Sequence, residues 1–307
     1  MPTPSELIVE HGLDLPIPKE VNGQQNRVDN DPAWDAQYTP CTEAFPEDDV
    51  ATGTVTKISD WQESTIYPGT SRDLWLYKPT GVEADEYRLI FFNDGPFYLS
   101  RSGSVRATNV LDTLHHQGDI PATAAVFILP GRPDHSVPGP IEAYDDLLSQ
   151  RSLEYDRLGP EYGEFLFGEI KPLVESELGI VVGDDPSQRT VCGISSGGIA
   201  AFTAAWQHPH ECSRVISHCG SFTDIWGGHN YHSLIRRTPR KDIRVFLQSG
   251  ENDADTPFGH WPSANQGLAA ALAFAGYDHR FEFGTGGHNL CHGGAIFADT
   301  LRWLWRD

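Results

Sequence analysis

Two early stretches, Gly53–Ile58 and Arg72–Lys78 (RDLWLYK), alternate apolar and polar side chains. A period of two predicts half-buried antiparallel strands. The pattern then changes to short runs that are apolar at nearly every position: Leu89–Phe92, Ala125–Leu129, Thr190–Gly193, Val215–Ser217 and Val245–Gln248. Such runs suit strands covered on both faces. Helical spacing fills the gaps, predicting helices over Val105–Gln117, Arg157–Leu178, Gly198–His208 and Trp261–Ala275. A last strand over His279–Phe283 leads through Gly284–Gly287 to a helix near Ala295–Trp305. Strands alternating with helices predict a mostly parallel central sheet with helices on both faces, the two early strands forming an antiparallel N-terminal edge. Residues 1–50 are rich in Pro, Asp, Asn and Gln and lack periodicity, so they read as an irregular arm before one α/β domain spanning 51–307.

The charge balance narrows the partners. With 22 basic and 43 acidic residues the net charge is −21. A surface so acidic repels phosphate backbones and anionic lipid, which argues against nucleic-acid or membrane binding. No basic segment followed by an apolar one opens the chain, and no apolar run approaches the length of a bilayer span. The five cysteines, Cys41, Cys192, Cys212, Cys219 and Cys291, show no metal-ligand spacing, and an odd number cannot all pair. The expectation is a cytoplasmic protein with buried free thiols. A homo-oligomer remains open.

The strongest local signal is Gly193-Ile194-Ser195-Ser196-Gly197-Gly198. It follows the apolar segment TVC and opens the alanine-rich segment IAAFTAAW, so G-x-S-x-G sits between a strand and a helix, the context a nucleophile elbow requires. A turn this tight holds the serine in strained backbone and excludes a Cβ at the flanking positions. Ser196 is the weaker candidate nucleophile, because Ile194 stands where its preceding glycine would be. The Ser196 N–H, at the helix start, would face a developing oxyanion.

A serine hydroxyl needs a base, and the base needs an orienting acid, here in the order Ser, Asp or Glu, His. After the strand at Val245–Gln248 the sequence SGENDADT offers Glu251, Asp253 and Asp255; the turn length favours Asp253, with Asp255 next. In RFEFGTGGHNLCHGG, His288 follows a glycine-rich turn behind the last strand, while His292 either lines the pocket or caps the final helix. Most of the 13 histidines are expected to be structural or at the surface, and His115, His116, His208 and His210 read as solvent-facing. No pair has zinc spacing. No metal or organic cofactor is implied.

From Ser71 to Asp307 the chain resembles the enterochelin-esterase-like (esterase D-type) branch of the α/β-hydrolase superfamily. The carrying segments are FFNDGPFYL (Phe91–Leu99), RSLEYDRLGPEYGEFLFGEIKPLVE (Arg151–Glu175), CGISSGGIAAFTAAWQHP (Cys192–Pro209), SHCGSF (Ser217–Phe222), VFLQSGEND (Val245–Asp253) and GGHNLCHGG (Gly286–Gly294). Siderophore esterases of this type carry an extra N-terminal β domain, and the irregular residues 1–50 do not read as one. The resemblance implies an α/β-hydrolase fold and a serine carboxylic-ester hydrolase using Ser195, Asp253 and His288. The implied substrates are small soluble esters or lactones: acylated sugars, phenolic esters or siderophore-like esters. Relatives also transfer acyl groups, and a degenerate member would only bind its ligand. In this branch the residue after Asp-Gly in the loop behind the third strand usually supplies a second oxyanion N–H. Here it is Pro96, which has none. The expected donor is then the N–H of Gly95 or Phe97, or a side chain such as Asn93 or Tyr98. Tyr98, Trp226 and Trp261 are expected to line an aromatic pocket, and Arg151 to hold an anionic substrate group or to sit exposed at a helix start.

Overall fold

Each apolar run forms a strand whose successive side chains serve opposite layers. In a computed structural model, which describes residues 20–21, 24–25, 27–28, 31–133 and 149–306, the main strands are β1 (Thr54–Trp61), β2 (Arg72–Lys78), β3 (Arg88–Asn93), β4 (Thr123–Ile128), β5 (Arg189–Ile194), β6 (Arg214–His218), β7 (Arg244–Asn252) and β8 (Asp278–Gly287). They lie in the order β1-β2-β4-β3-β5-β6-β7-β8. The pairs β1/β2 and β2/β4 are antiparallel, and every other neighbouring pair is parallel. Leu89 and Phe91 of β3 enter one apolar layer, Ile90 and Phe92 the other; Val215 and Ile216 of β6 divide in the same way. This is why the central strands lack alternation; β1, expected to be half-buried, is instead exposed over most of its length. The mostly parallel α/β sheet with an antiparallel N-terminal edge expected from the pattern is therefore the observed one, in the arrangement that the α/β-hydrolase resemblance implied.

Eleven described helical segments matter for position: α1 (Pro32–Asp35), α2 (Pro96–Leu99), α3 (Ala107–Gln117), α4 (Gln150–Tyr155), α5 (Glu161–Phe165), α6 (Lys171–Leu178), α7 (Ser196–Gln207), α8 (Tyr231–Arg237), α9 (Trp261–Phe274), α10 (Cys291–Ala295) and α11 (Phe297–Trp305). The helix expected over Arg157–Leu178 starts later and is broken. Pro160 disfavours helical backbone before it. A π turn at Leu166–Ile170 separates α5 from α6; Pro172 lacks the N–H that would continue the ordinary ladder across that junction. Of the arm expected over residues 1–50, residues 20–21, 24–25, 27–28 and 31–50 are described. Its described part contributes α1 and a 3-10 turn at Thr42–Ala44. Among the described residues no helix is long and apolar enough to cross a membrane.

His115 departs from the solvent-facing reading. Its Nε2 accepts the Thr123 N–H at 3.1 Å, tying α3 to β4, and burial pushes its pKa down to about 4. His218 at the end of β6 is wholly buried and pushed down to about 3, again chiefly by burial. Both are neutral when folded but protonate near pH 6.5 when unfolded, so the unfolded chain binds more protons and stability falls with pH. Between pH 7 and 5 each costs about 2 kcal/mol. The buried Asp156, raised to about 6, works the other way: it takes up a proton in the folded state over that interval and returns about 1 kcal/mol. Urea denaturation at the two pH values is expected to show a net loss of about 2–3 kcal/mol at pH 5; equal stabilities would contradict the burial of these imidazoles as neutral groups.

Candidate active site

Ser195 sits between β5 and α7 with φ 59° and ψ −125°. The strain is held by main-chain bonds: its N–H donates to His218 O (2.9 Å), and its carbonyl accepts from Gly198 N–H (2.9 Å) and Ser221 N–H (3.1 Å). A Cβ on Gly193 would come within 2.2 Å of Gly197 O, so that glycine is obligatory for the turn. This is the elbow geometry, and it raises the Ser195 hydroxyl at the carboxyl edge of the sheet, where open α/β sheets bind ligands.

The next parallel strands deliver the partners. His288, just past β8, places Nε2 3.0 Å from Ser195 Oγ. Its Nδ1 lies 2.5 Å from Asp253 Oδ1. Asp253 is fully buried behind β7 and also accepts from Ser249 Oγ (2.6 Å) and Ala254 N–H (2.8 Å). Asp255 and Glu251 are exposed, so of the three acids in SGENDADT only Asp253 reaches the imidazole. Trp261 packs its ring edge-on to His288, with centroids 5.9 Å apart at 85°, and joins Ile225, Ala254, Trp226 and Phe258 in a small apolar cluster.

Other expected residues take different roles. Tyr98 is wholly buried with its hydroxyl 2.9 Å from His218 Nδ1, so it is core rather than pocket wall. His292 is also buried: its ring stacks on Tyr38 at 4.2 Å, and Gln248 Nε2 lies 3.3 Å from its Nδ1. Arg151 is buried and makes a two-toothed pair with Asp94, Nε to Oδ1 at 3.0 Å and Nη2 to Oδ2 at 2.7 Å. It anchors the loop after β3, whose Asp94 has φ 51°, instead of presenting a charge to substrate. Trp226, half-buried at φ 47°, lies beside Trp261 with the Arg157 guanidinium 5.9 Å from its ring.

The expected second oxyanion donors are likewise committed. Gly95 N–H donates to Ile128 O (2.9 Å) and Phe97 N–H to Asp94 O (3.0 Å). Asn93 Nδ2 donates to Gly197 O (2.8 Å), and its Oδ1 accepts from Tyr162 (2.6 Å). Pro96 occupies the first turn of α2, where a missing N–H costs nothing. Among the described residues the Ser196 N–H has no acceptor assigned, and it opens the 12-residue helix α7, whose dipole favours negative charge there.

Three neighbours were not foreseen. Ser221 places Oγ 3.3 Å from Ser195 Oγ. The buried Asp156 carboxyl is raised to about 6 by burial, opposed by Arg151, Ser152 and Ser196. Cys219, Asp253 and His288 hold ligand atoms within 4.8 Å of one another; burial and then the Asp253 charge push the Cys219 thiol well up. A protonated thiol beside an acid already bonded to its imidazole fits acid–base chemistry better than metal binding. Only SHCGSF, which runs from the last two residues of β6 into the turn behind it, hinted in sequence at Cys219 and Ser221.

Residues 66–302 match the esterase family, described as "Putative esterase". The iron(III) enterobactin esterase of Dickeya dadantii (strain 3937) is 30% identical over 137 residues, covering 39% of this chain and 30% of that protein. The enterobactin esterase FES of Shigella flexneri, solved with enterobactin, superposes with a TM-score of 0.63 at 21% identity over 87% of this chain and 60% of that one. A ferulic acid esterase superposes with a TM-score of 0.62 at 15% identity over 83% of this chain and 99% of its own. The chain thus spans less than two thirds of the enterobactin esterases it matches. With the fold, the elbow and the family match in agreement, the chain belongs to the esterase family and has the α/β-hydrolase fold.

Proposed function

We propose that this chain hydrolyses small soluble carboxylic esters or lactones through an acyl-enzyme on Ser195. The observation that carries the reading is the unbroken hydrogen-bonded series from Asp253 through His288 to Ser195 at the carboxyl edge of the sheet. Ser195 Oγ attacks the acyl carbon while His288 Nε2 takes its proton. Asp253 accepts from Nδ1–H, fixing the tautomer and stabilising the imidazolium. The carbonyl electrons collect on an oxygen facing the Ser196 N–H. Collapse expels the alcohol, which takes the proton from His288. Water then repeats the sequence: it gives a proton to His288, attacks the acyl carbon and releases the acid and free Ser195.

Aromatic acyl groups suit the site best. Trp226 packs with Trp261, whose ring meets His288 edge-on, and Phe97, 45% exposed, lies just past the carboxyl end of β3; flat rings prefer aromatic walls. Relatives are named as an iron(III) enterobactin esterase and a ferulic acid esterase, and the second name, that of an aromatic acid, supports an aromatic ester here. Residues 51–307 would form the catalytic domain, with residues 1–50 as an accessory arm.

The test combines labelling and turnover. A fluorophosphonate is expected to add once per chain, at Ser195 by peptide mass, and wild type should turn over p-nitrophenyl, feruloyl, acetyl-sugar or lactone substrates. Added methanol diverting product to methyl ester would make acyl transfer the better description. No label and no turnover across the panel would leave only ligand binding.

A further inference from the structure

The ester-hydrolase reading leaves unused the segment that crosses the outside of the His288 loop. The β7/β8 register shifts between Gly284 and Gly287, just before the histidine, where Gly287 pairs with Asn252 and Asn252 Nδ2 donates to Thr285 O at 2.8 Å. The residues around α1 add bonds from outside this irregular stretch. Trp34 O accepts from Thr285 Oγ1 at 3.2 Å, Gln37 Nε2 donates to the same hydroxyl, and Tyr38 Oη accepts the Thr285 N–H at 3.0 Å. Asp35 Oδ2 accepts from Asn289 Nδ2 at 2.7 Å and from Gly287 N–H at 3.4 Å. One carboxylate therefore ties the residue before His288 to the residue after it.

The loop sequence is fitted to this contact. A Cβ on Gly284 would stand 2.0 Å from Tyr38 Oη, and one on Gly286 would stand 2.9 Å from Asp35 Oδ1. Tyr38 continues the contact by stacking on His292. The acid loop is held from the same side: Arg27 and Asp255 exchange both main-chain bonds at 2.8 Å, two residues beyond Asp253.

The geometry points to Trp34–Tyr38, with Arg27, as an external strap that holds base and acid in register, and to Asp35 as its positioning residue. The inference rests on Ser195, His288 and Asp253 being the reacting groups. Asp35 touches neither substrate nor reacting atoms; it acts by restricting where the imidazole sits. Misplacement on the scale of an ångström costs up to about a hundredfold in rate.

The experiment compares Asp35→Ala, Asp35→Asn and Tyr38→Phe with wild type on p-nitrophenyl acetate, well below each thermal midpoint. Alongside, the downfield proton resonance of the His288–Asp253 hydrogen bond is followed in the resting protein. Asp35→Ala is expected to lower kcat roughly 10- to 100-fold with little change in KM, and to weaken the resonance by exchange with solvent. Asp35→Asn keeps an acceptor oxygen and should recover most of the rate. Tyr38→Phe removes one acceptor with little risk to folding and should lower kcat severalfold. Unchanged kcat in Asp35→Ala and Tyr38→Phe, an unaltered resonance, or an Asn variant as slow as Ala would overturn the strap. Absence of Ser195-dependent turnover in wild type would instead strike the esterase reading, and the resonance would still decide the strap.

Discussion

Ser195→Ala is expected to lower kcat/KM toward any ester the wild type accepts by roughly 10⁴–10⁶-fold, with His288→Ala costing a similar amount and the double variant little more. The reason is geometric. Ser195 Oγ and His288 Nε2 are 3.0 Å apart and act on one proton. Without the hydroxyl there is nothing for the base to deprotonate, and without the base the hydroxyl is a weak nucleophile. What survives is stabilisation by the Ser196 N–H and by binding. Folding should be untouched, because alanine fits the same φ of 59° no worse than serine. The check is kcat/KM for both single variants and the double, with thermal midpoints measured alongside. Losses that multiply in the double variant, or a Ser195→Ala protein within tenfold of wild type, would mean that these two side chains are not the reacting pair.

How far the site could be read in advance depended on the range of the interactions that fix it. The five central strands were legible because burial on two faces writes itself into consecutive residues, as in Leu89–Phe92. Ser195 was legible because the elbow's demands are local: Gly193 must lack a Cβ whatever surrounds it. His288 and Asp253 followed from chain order, since each comes just after a strand of a parallel sheet. The misread pocket residues, and the missed Asp35, are those whose partners are distant. Whether Tyr98 faces a pocket or the core turns on His218, 120 residues away. Arg151 finds Asp94 across 57 positions, and Asp35 reaches Asn289 across 254. Periodicity carries no record of such pairings. The oxyanion loop failed for a related reason: that Gly95 N–H is taken depends on Ile128 of a neighbouring strand. With that loop's donors committed, the proposed oxyanion site falls to the helix start at Ser196.

The largest expected loss of stability lies in a second long-range pair, Arg72–Glu154. Both side chains are fully buried, with Nη1–Oε2 at 2.8 Å and Nη2–Oε1 at 3.0 Å. Glu154 also accepts from Gly131 N–H (3.1 Å) and Gln150 Nε2 (2.9 Å), while the guanidinium lies 4.2 Å from the Phe165 ring. Arg72→Met would leave a carboxylate without its countercharge in a dry interior, at a cost of about 3–5 kcal/mol. Replacing both, as Arg72→Met with Glu154→Leu, removes the unpaired charge and should recover most of that loss. Denaturant midpoints for the two single variants and the double give the coupling directly. Turnover should follow, because Glu154 belongs to α4, the same short helix that carries Arg151 to Asp94 beside the elbow. Loosening α4 frees the loop after β3 at the edge where the substrate must sit, so Arg72→Met is expected to lose activity at temperatures where it is still folded. A single variant that loses less than about 1 kcal/mol would show that water reaches this pair and that the sheet holds α4 by other contacts.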